Sequence, residues 1–249
     1  MRQSIVYNGL VFTTLVSGAR ELGLELSTTQ LGQFESYFRE LETWNQKTNL
    51  TAITDYEGVQ TKHFLDSLTI APALPYPTPP GLKMLDLGTG AGFPGLPLKI
   101  LYPEIKLTLL EATGKKVTFL RHIISTLELA GVTVIAGRAE EAAQVPEYRE
   151  RFDIVVSRAV AELPALLELA LPFCSLGGRV IAQKKGDIKA EVGTATRALS
   201  VLGGEITEVR EIPLSALPDQ RCLVIIAKIT PTPAFYPRRP GMPAKKPLV

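Results

Sequence analysis

Metal and disulfide chemistry has little to draw on in this chain, which holds two cysteines and two histidines among 249 residues. Cys174 and Cys222 stand far apart in apolar surroundings, so they read as reduced packing residues rather than as a bridge or a metal pair. No metal site is expected. No run approaches the ~20 uninterrupted apolar residues that cross a bilayer, and the first residues lack a sustained apolar stretch closed by a small-residue cleavage site. The expectation is a cytoplasmic monomer without membrane contact. A strong charge of one sign is missing too. The net charge is +2, but residues 230–249 carry Arg238, Arg239, Lys245 and Lys246 and no acid, which leaves residues 1–229 at −2. That balance excludes a strongly basic domain, so any contact with nucleic acid must come from a local patch plus this tail and must weaken with salt.

Glycine, by contrast, is concentrated where it can act. Residues 86–95 read Asp-Leu-Gly-Thr-Gly-Ala-Gly-Phe-Pro-Gly, after a short apolar strand at Lys83, Met84 and Leu85 and before a helical stretch that opens with Leu96. Gly88, Gly90 and Gly92 permit positive φ and bring bare backbone against a ligand. Read from Gly90, the loop fits the dinucleotide pattern G-x-G-x-x-G, which receives a pyrophosphate. Read from Asp86, it fits D-x-G-x-G-x-G, the loop that doubly wound S-adenosylmethionine-dependent methyltransferases carry after their first strand. The carboxylate of Asp86 suits a cationic amine and sulfonium and would repel a pyrophosphate. A glycine turn that binds nothing is the plainer alternative.

Along the chain, residues 4–25 predict a helix with Ile5, Val6, Leu10, Val11, Leu15, Val16 and Leu22 on one face. Ser27 and Gln30 form a capping box for a second helix whose Leu31, Phe34, Tyr37, Phe38, Leu41 and Trp44 read as core. A third helix starts at residues 54–57 and runs to about Ala73, carrying His63 and Asp66 three apart on one face. They read as ligands or acid-base partners, or as a histidine held by a carboxylate at a junction. Residues 72–81, with four prolines after Pro72, form a stiff connector.

Beyond the loop, residues 105–110 predict a second strand ending at Glu111. This acid lies 23 residues after Gly88, close to the ~20 expected for the carboxylate that grips ribose hydroxyls. Strand three, residues 132–136, leads to Ala139 backbone and Glu140, placed to read an adenine edge. Strand four, residues 152–159, is apolar throughout and brings Ser157 and Arg158 to the sheet edge where ligands gather. Strand five ends in Lys184 and Lys185, either phosphate contacts or a solvated pair. Residues 205–212 and 221–229 predict an antiparallel closing hairpin, a feature of methyltransferase sheets that dinucleotide sheets lack. The proline-rich tail from Thr230 is expected to be disordered or to lie on RNA.

Taken together, Trp44-Asn45 with Asn49-Leu50-Thr51, His63-Phe64-Leu65-Asp66-Ser67, residues 86–95, Ser157-Arg158-Ala159 and Lys184-Lys185-Gly186 resemble the GidB/RsmG family, which methylates N7 of a guanosine in bacterial 16S ribosomal RNA. The resemblance runs from about Leu24 to Ile229. It implies an α/β fold, a doubly wound class I methyltransferase with a Rossmann-like sheet and antiparallel closing strand, at residues 74–229. A helical N-terminal domain (1–73) precedes it and a basic tail (230–249) follows. It implies S-adenosylmethionine as cofactor, held by Asp86, Gly88, Gly90, Phe93, Glu111, Ala139, Glu140 and Arg158. His63, Asp66 and Arg158 would serve catalysis, and Lys184, Lys185 and Arg221 would hold RNA, with 16S ribosomal RNA or the small subunit as partner. An NAD-linked oxidoreductase and a catalytically silent RNA-binding protein on the same fold are the competing readings.

Overall fold

The computed structural model describes residues 6–7, 10–158 and 160–249. Two short strands, β1 (Val6–Tyr7) and β2 (Leu10–Val11), pair antiparallel and lead into helix α1 (Thr13–Glu21). The helix expected over residues 4–25 is thus shorter, since its first part is an extended pair or lies outside the described residues. Helix α2 (Thr28–Thr48) begins at the anticipated capping box: Ser27 Oγ accepts from Gln30 N–H at 3.2 Å and Gln30 Oε1 accepts from Ser27 N–H at 2.8 Å. Its Leu31, Phe34, Tyr37, Phe38 and Leu41 are buried, each contributing about 1.5–3 kcal/mol of apolar transfer.

The third helix is broken in pitch. Helix α3 (Tyr56–Val59), capped by Asp55, widens into a π-helical turn over Gln60–Leu65 before α4 (Asp66–Leu68). Such widenings accommodate one extra residue and recur at functional sites; here the π turn carries His63 and ends next to Asp66.

The remaining chain alternates strand and helix: β3 (Lys83–Leu87), α5 (Gly95–Leu101), β4 (Lys106–Glu111), α6 (Gly114–Thr126), β5 (Val132–Ala136), α7 (Ala139–Ala142), β6 (Phe152–Arg158), α8 (Leu163–Ala170), β7 (Cys174–Lys185), α9 (Lys189–Thr194), α10 (Thr196–Leu202), β8 (Gly204–Leu214), β9 (Leu217–Lys228) and α11 (Met242–Lys245). The sheet order is β5-β4-β3-β6-β7-β9-β8. The first five strands in that order are parallel, and β9 pairs antiparallel with both β7 and β8. This is the doubly wound sheet with the expected closing hairpin. Order reverses between β3 and β6, so a crevice opens beyond their C-terminal ends. Both strands are buried on two faces, with Met84, Leu85, Val155 and Val156 excluded from water.

One face of the sheet shares a continuous core with the N-terminal helices, in which Phe34, Tyr37 and Phe64 join Met84, Leu107 and Ile225. The other packs Leu85, Val155 and Val224 against Leu167 and Leu202. Cys174 and Cys222 are buried and unbridged.

The tail does not follow its composition. Glu168 on α8 is completely buried, and Arg238 meets it with Nε at 2.8 Å and Nη2 at 2.6 Å. Leu248 is buried on the same side of the sheet. A buried carboxylate demands a partner; the tail supplies it and is ordered by it.

Candidate functional site

Two carboxylates brace the glycine loop from below. Asp86, at the end of β3, is fully buried, and its Oδ2 accepts from Gly95 N–H at 2.7 Å and Thr89 Oγ1 at 2.5 Å. Its Oδ1 has no partner, and burial pushes the group up to about 6. Asp86 therefore shapes the loop and offers no surface to a ligand, which corrects its expected place among the cofactor contacts. Glu111, at the tip of β4, accepts from Gly90 N–H (2.9 Å) and Thr113 N–H (2.7 Å). Each carboxylate oxygen keeps a second acceptor position, so the ribose role stays compatible with this bracing.

Gly88, Gly90 and Gly92 have φ of +69°, +62° and +104°. A Cβ at Gly92 would collide with the Tyr37 hydroxyl, whereas one at Gly90 would meet nothing nearer than Lys116 Nζ at 3.9 Å. The loop is thus tight against the protein at Gly92 and bare at Gly90.

Aromatic rings hold the loop from the helical side. Tyr37 is fully buried on α2 and donates its hydroxyl to Ala91 O at 2.6 Å. Its ring lies nearly parallel to Phe93, at 12° and 5.3 Å, and the His63 ring lies at 13° and 4.5 Å from Phe93. The Arg158 guanidinium sits 5.2 Å from the centre of Phe93, a cation-π distance. The sequence motif around Asn49 is explained nearby. Asn45 Oδ1 accepts from Thr51 N–H at 2.9 Å, and Asn49 takes the left-handed conformation at φ 47°, which turns Thr51 towards His63.

Arg158, at the end of β6, organises the charges. Its Nη1 donates to Asp66 Oδ2 and to Lys62 O, both at 3.0 Å, and its Nη2 lies 3.3 Å from His63 Nδ1. Nδ1 also lies 3.1 Å from Lys62 O, so it accepts from Arg158 in one tautomer and donates to that carbonyl in the other, while Nε2 lies 2.8 Å from Thr51 Oγ1, which can take either role. Burial first, then the Arg158 charge, lowers His63 to about 3; the imidazole is neutral at physiological pH. The other Asp66 oxygen, Oδ1, receives Arg221 Nε at 2.6 Å.

Two adjacent cavities share Arg158. One, of about 190 Å³, is lined by Thr51, His63, Gly88, Gly90, Phe93 and Arg158 among others. The second, of about 220 Å³, is lined by Asp66, Arg158, Gln183, Lys184, Lys185 and Arg221. Most of the expected residues are brought together here, with further departures beside Asp86. Arg221 is only 1% exposed and bound to Asp66, so it is a buried counter-ion and not a phosphate contact. Lys184 is engaged by Glu191 at 2.5 Å and Ala161 O at 2.7 Å; Lys185 stays exposed. The Glu140 carboxylate faces the tail, accepting from Gly241 N–H at 2.8 Å, because that loop end is covered. Neither it nor Ala139 lines either cavity, leaving only backbone there for an adenine edge. Tyr37 and Gln183 are site residues that sequence reasoning assigned to core and strand. Nothing distinguishes an aromatic at core spacing until its hydroxyl is seen on the loop. Among the described residues no cluster of three or more metal-ligating side chains occurs, and no helix is long and apolar enough to cross a membrane.

Known proteins match this chain over most of its length. The model of the family described as rRNA small subunit methyltransferase G matches residues 30–217. A protein named ribosomal RNA small subunit methyltransferase G from Dehalococcoides mccartyi is 53% identical over 239 residues, covering 94% of this chain and 99% of that one. One of the same name from Roseiflexus sp. is 48% identical over 234 residues, covering 94% and 98%. Among solved structures, the [4+2]-cyclase SpnF superposes with a TM-score of 0.56 at 13% identity, over 83% of this chain and 98% of that one. At that identity the likeness concerns the fold alone.

Proposed function

This chain belongs to the rRNA small subunit methyltransferase G family, and from that membership we propose that it transfers the methyl group of S-adenosylmethionine to N7 of a guanosine in 16S ribosomal RNA. The observation that carries the reading is the pair of cavities meeting at Arg158, one over the bare glycine loop and one beyond it.

The first cavity fits the cofactor. Gly90 leaves the backbone open and Gly88 is exposed beside Val160, while Glu111 and the backbone at Ala139 and Glu140, outside the cavity itself, stand at the strand ends towards which a ribose and an adenine would extend. When bound, the cofactor supplies an electrophilic methyl group on a sulfonium. His63, held neutral, adds no positive charge beside it. Phe93 and Arg158 form the wall towards the second cavity, which takes the base. N7 of guanine carries a free lone pair and no proton, so the chain must place the base rather than deprotonate it. Both Asp66 oxygens are taken by Arg158 and Arg221, so its part is to position and not to meet the positive charge that moves onto the purine. Asp66 holds Arg158 at the boundary between the cavities. Exposed Lys185 is available to phosphate.

This reading keeps residues 1–73 as the helical part that supplies His63 and Asp66 to a catalytic domain of residues 74–229. It places the protein in the cytoplasm with the small ribosomal subunit as partner. Membership sets aside the NAD-linked oxidoreductase and the silent RNA binder. The test is methyl transfer from radiolabelled cofactor to small-subunit particles and to their deproteinised RNA, mapped by cleavage at N7-methylguanosine. Label at one guanosine is the expected result; cofactor binding without label on either acceptor refutes the substrate, and no cofactor binding refutes the reading.

A further inference from the structure

The tail places cations on a fixed mount at the rim of the sheet. Of its four cations, Arg238 is consumed inward: Glu168 accepts from its side chain and from its backbone N–H at 2.9 Å. Its Nη2 also reaches Lys246 O at 2.7 Å, which closes residues 238–246 into a loop. A second anchor ties Gly241 N–H to Glu140 Oε1 at 2.8 Å, and a third sets Arg149 on the carbonyls of Thr232 and Tyr236 at 2.9 Å each. The side chains of Arg239, Lys245 and Lys246 remain exposed. Arg138, also exposed, precedes Glu140 by two residues and so belongs to the same rim. The acids nearest in the chain do not cancel this charge. Glu140 and Glu168 turn inward, and the exposed acids near Arg138 in the chain, Glu141 and Glu147, are two against four exposed cations.

This geometry argues against a merely solvated charge run. A floppy basic tail would lose conformational freedom on meeting an anion, whereas here the backbone is already ordered. The mount joins α7, which follows β5 at the end of the sheet where the glycine loop opens. Residues 238–246 lie beyond residues 30–217, which the family model matches.

We infer that the loop of residues 238–246 together with Arg138 is an RNA-docking surface that engages phosphates of the substrate away from the modified nucleotide. The inference rests on the proposed ribosomal RNA substrate and adds a binding surface to it. Phosphate binding of this kind is sequence-independent and releases counterions, so removing one cation–phosphate pair flattens the dependence of log affinity on log salt by about 0.7–0.9.

The test is direct binding of deproteinised small-subunit RNA across a salt series by wild type and by the triple variant Arg239→Gln, Lys245→Gln, Lys246→Gln. All three positions are exposed, and an unchanged unfolding temperature verifies the fold. The expected result is a salt slope flatter by about 2 and RNA affinity weaker by roughly tenfold or more at low salt. Cofactor affinity stays at the wild-type value, as does turnover at saturating RNA. The reversal Arg239→Glu, Lys245→Glu weakens RNA binding further. A triple variant with the wild-type slope and affinity overturns the inference. So does a defect confined to assembled particles, which would assign the surface to a ribosomal protein. Because binding is read without methylation, a wild type that binds RNA with the steep slope but makes no N7-methylguanosine would refute the enzymatic reading and leave the docking surface standing.

Discussion

Asp66→Ala removes one carboxylate from between two guanidinium groups, and the consequences for stability and activity separate cleanly. Asp66 is 3% exposed and Arg221 1%, so the substitution leaves Arg221 as a buried cation whose remaining partners are the Asp219 carbonyl at 3.1 Å and the exposed Asp219 carboxylate at 3.6 Å. Breaking a buried pair from one side costs about 3–5 kcal/mol, because the orphaned charge keeps its desolvation penalty. For a chain of this size that corresponds to a fall of about 6–10 °C in unfolding temperature. Replacing both partners with apolar groups is far milder, so Asp66→Ala with Arg221→Met is expected to recover most of the loss, to within about 1–2 kcal/mol of wild type. Arg158 is the third member, and nothing in the double variant restores its anchor. Methyl transfer therefore stays depressed where stability returns. The assay is urea unfolding of wild type, both single variants and the double variant, with turnover measured on the same samples. A cost below about 1 kcal/mol for Asp66→Ala, or no recovery in the double variant, would refute the account of the ion pairs. Full activity in the stabilised double variant would refute the role given to Asp66 in holding Arg158.

The other expectations concern the loop and its two shifted groups. Tyr37→Phe keeps the stacking on Phe93 and removes only the hydrogen bond to Ala91 O, so stability falls by about 1–3 kcal/mol and cofactor affinity drops with it. Equilibrium cofactor binding checks this against Phe34→Leu, which is in the same core and leaves affinity unchanged. Asp86→Asn keeps an oxygen where Oδ2 accepts both of its hydrogen bonds and removes a charge that burial disfavours. The native carboxyl, at about 6 against a usual 3.8, holds its proton more tightly than the unfolded one. Stability is thus lost as pH rises from about 4 to 6, by about 3 kcal/mol in all, and Asp86→Asn should abolish that loss in urea titrations. His63 has the opposite sign. Lowered to about 3 from 6.5, it takes up its proton more readily when unfolded, so its contribution is lost as pH falls below 6.5. Relative to His63→Gln, wild type should therefore lose about 1.4 kcal/mol per pH unit between pH 6 and 4, and parallel curves would refute the burial of a neutral imidazole.

How much of this was legible beforehand follows the range of the interactions. The strand, glycine turn and helix over residues 83–101, the capping box at Ser27 and the closing hairpin were readable, because backbone sterics, caps and alternation act over a few residues. Gly88, Gly90 and Arg158 were named from motif and position, Phe93 and the site role of His63 from the family resemblance, and the five line one cavity. The π-helical turn over Gln60–Leu65 had no sequence signal, since its widening is set by packing.

What the chain alone determined, then, is the order of its elements and the residue types offered at the sheet edge, because these depend on local conformation and on burying apolar faces. Only the tertiary structure decided which charge meets which. Asp66 meets Arg158 from 92 positions away and Arg221 from 155, and Glu168 orders the tail through Arg238 across 70. The physical reason is that a buried charge takes whichever partner the fold brings within about 3 Å, and proximity of that kind is a property of the packed molecule and not of any stretch of sequence.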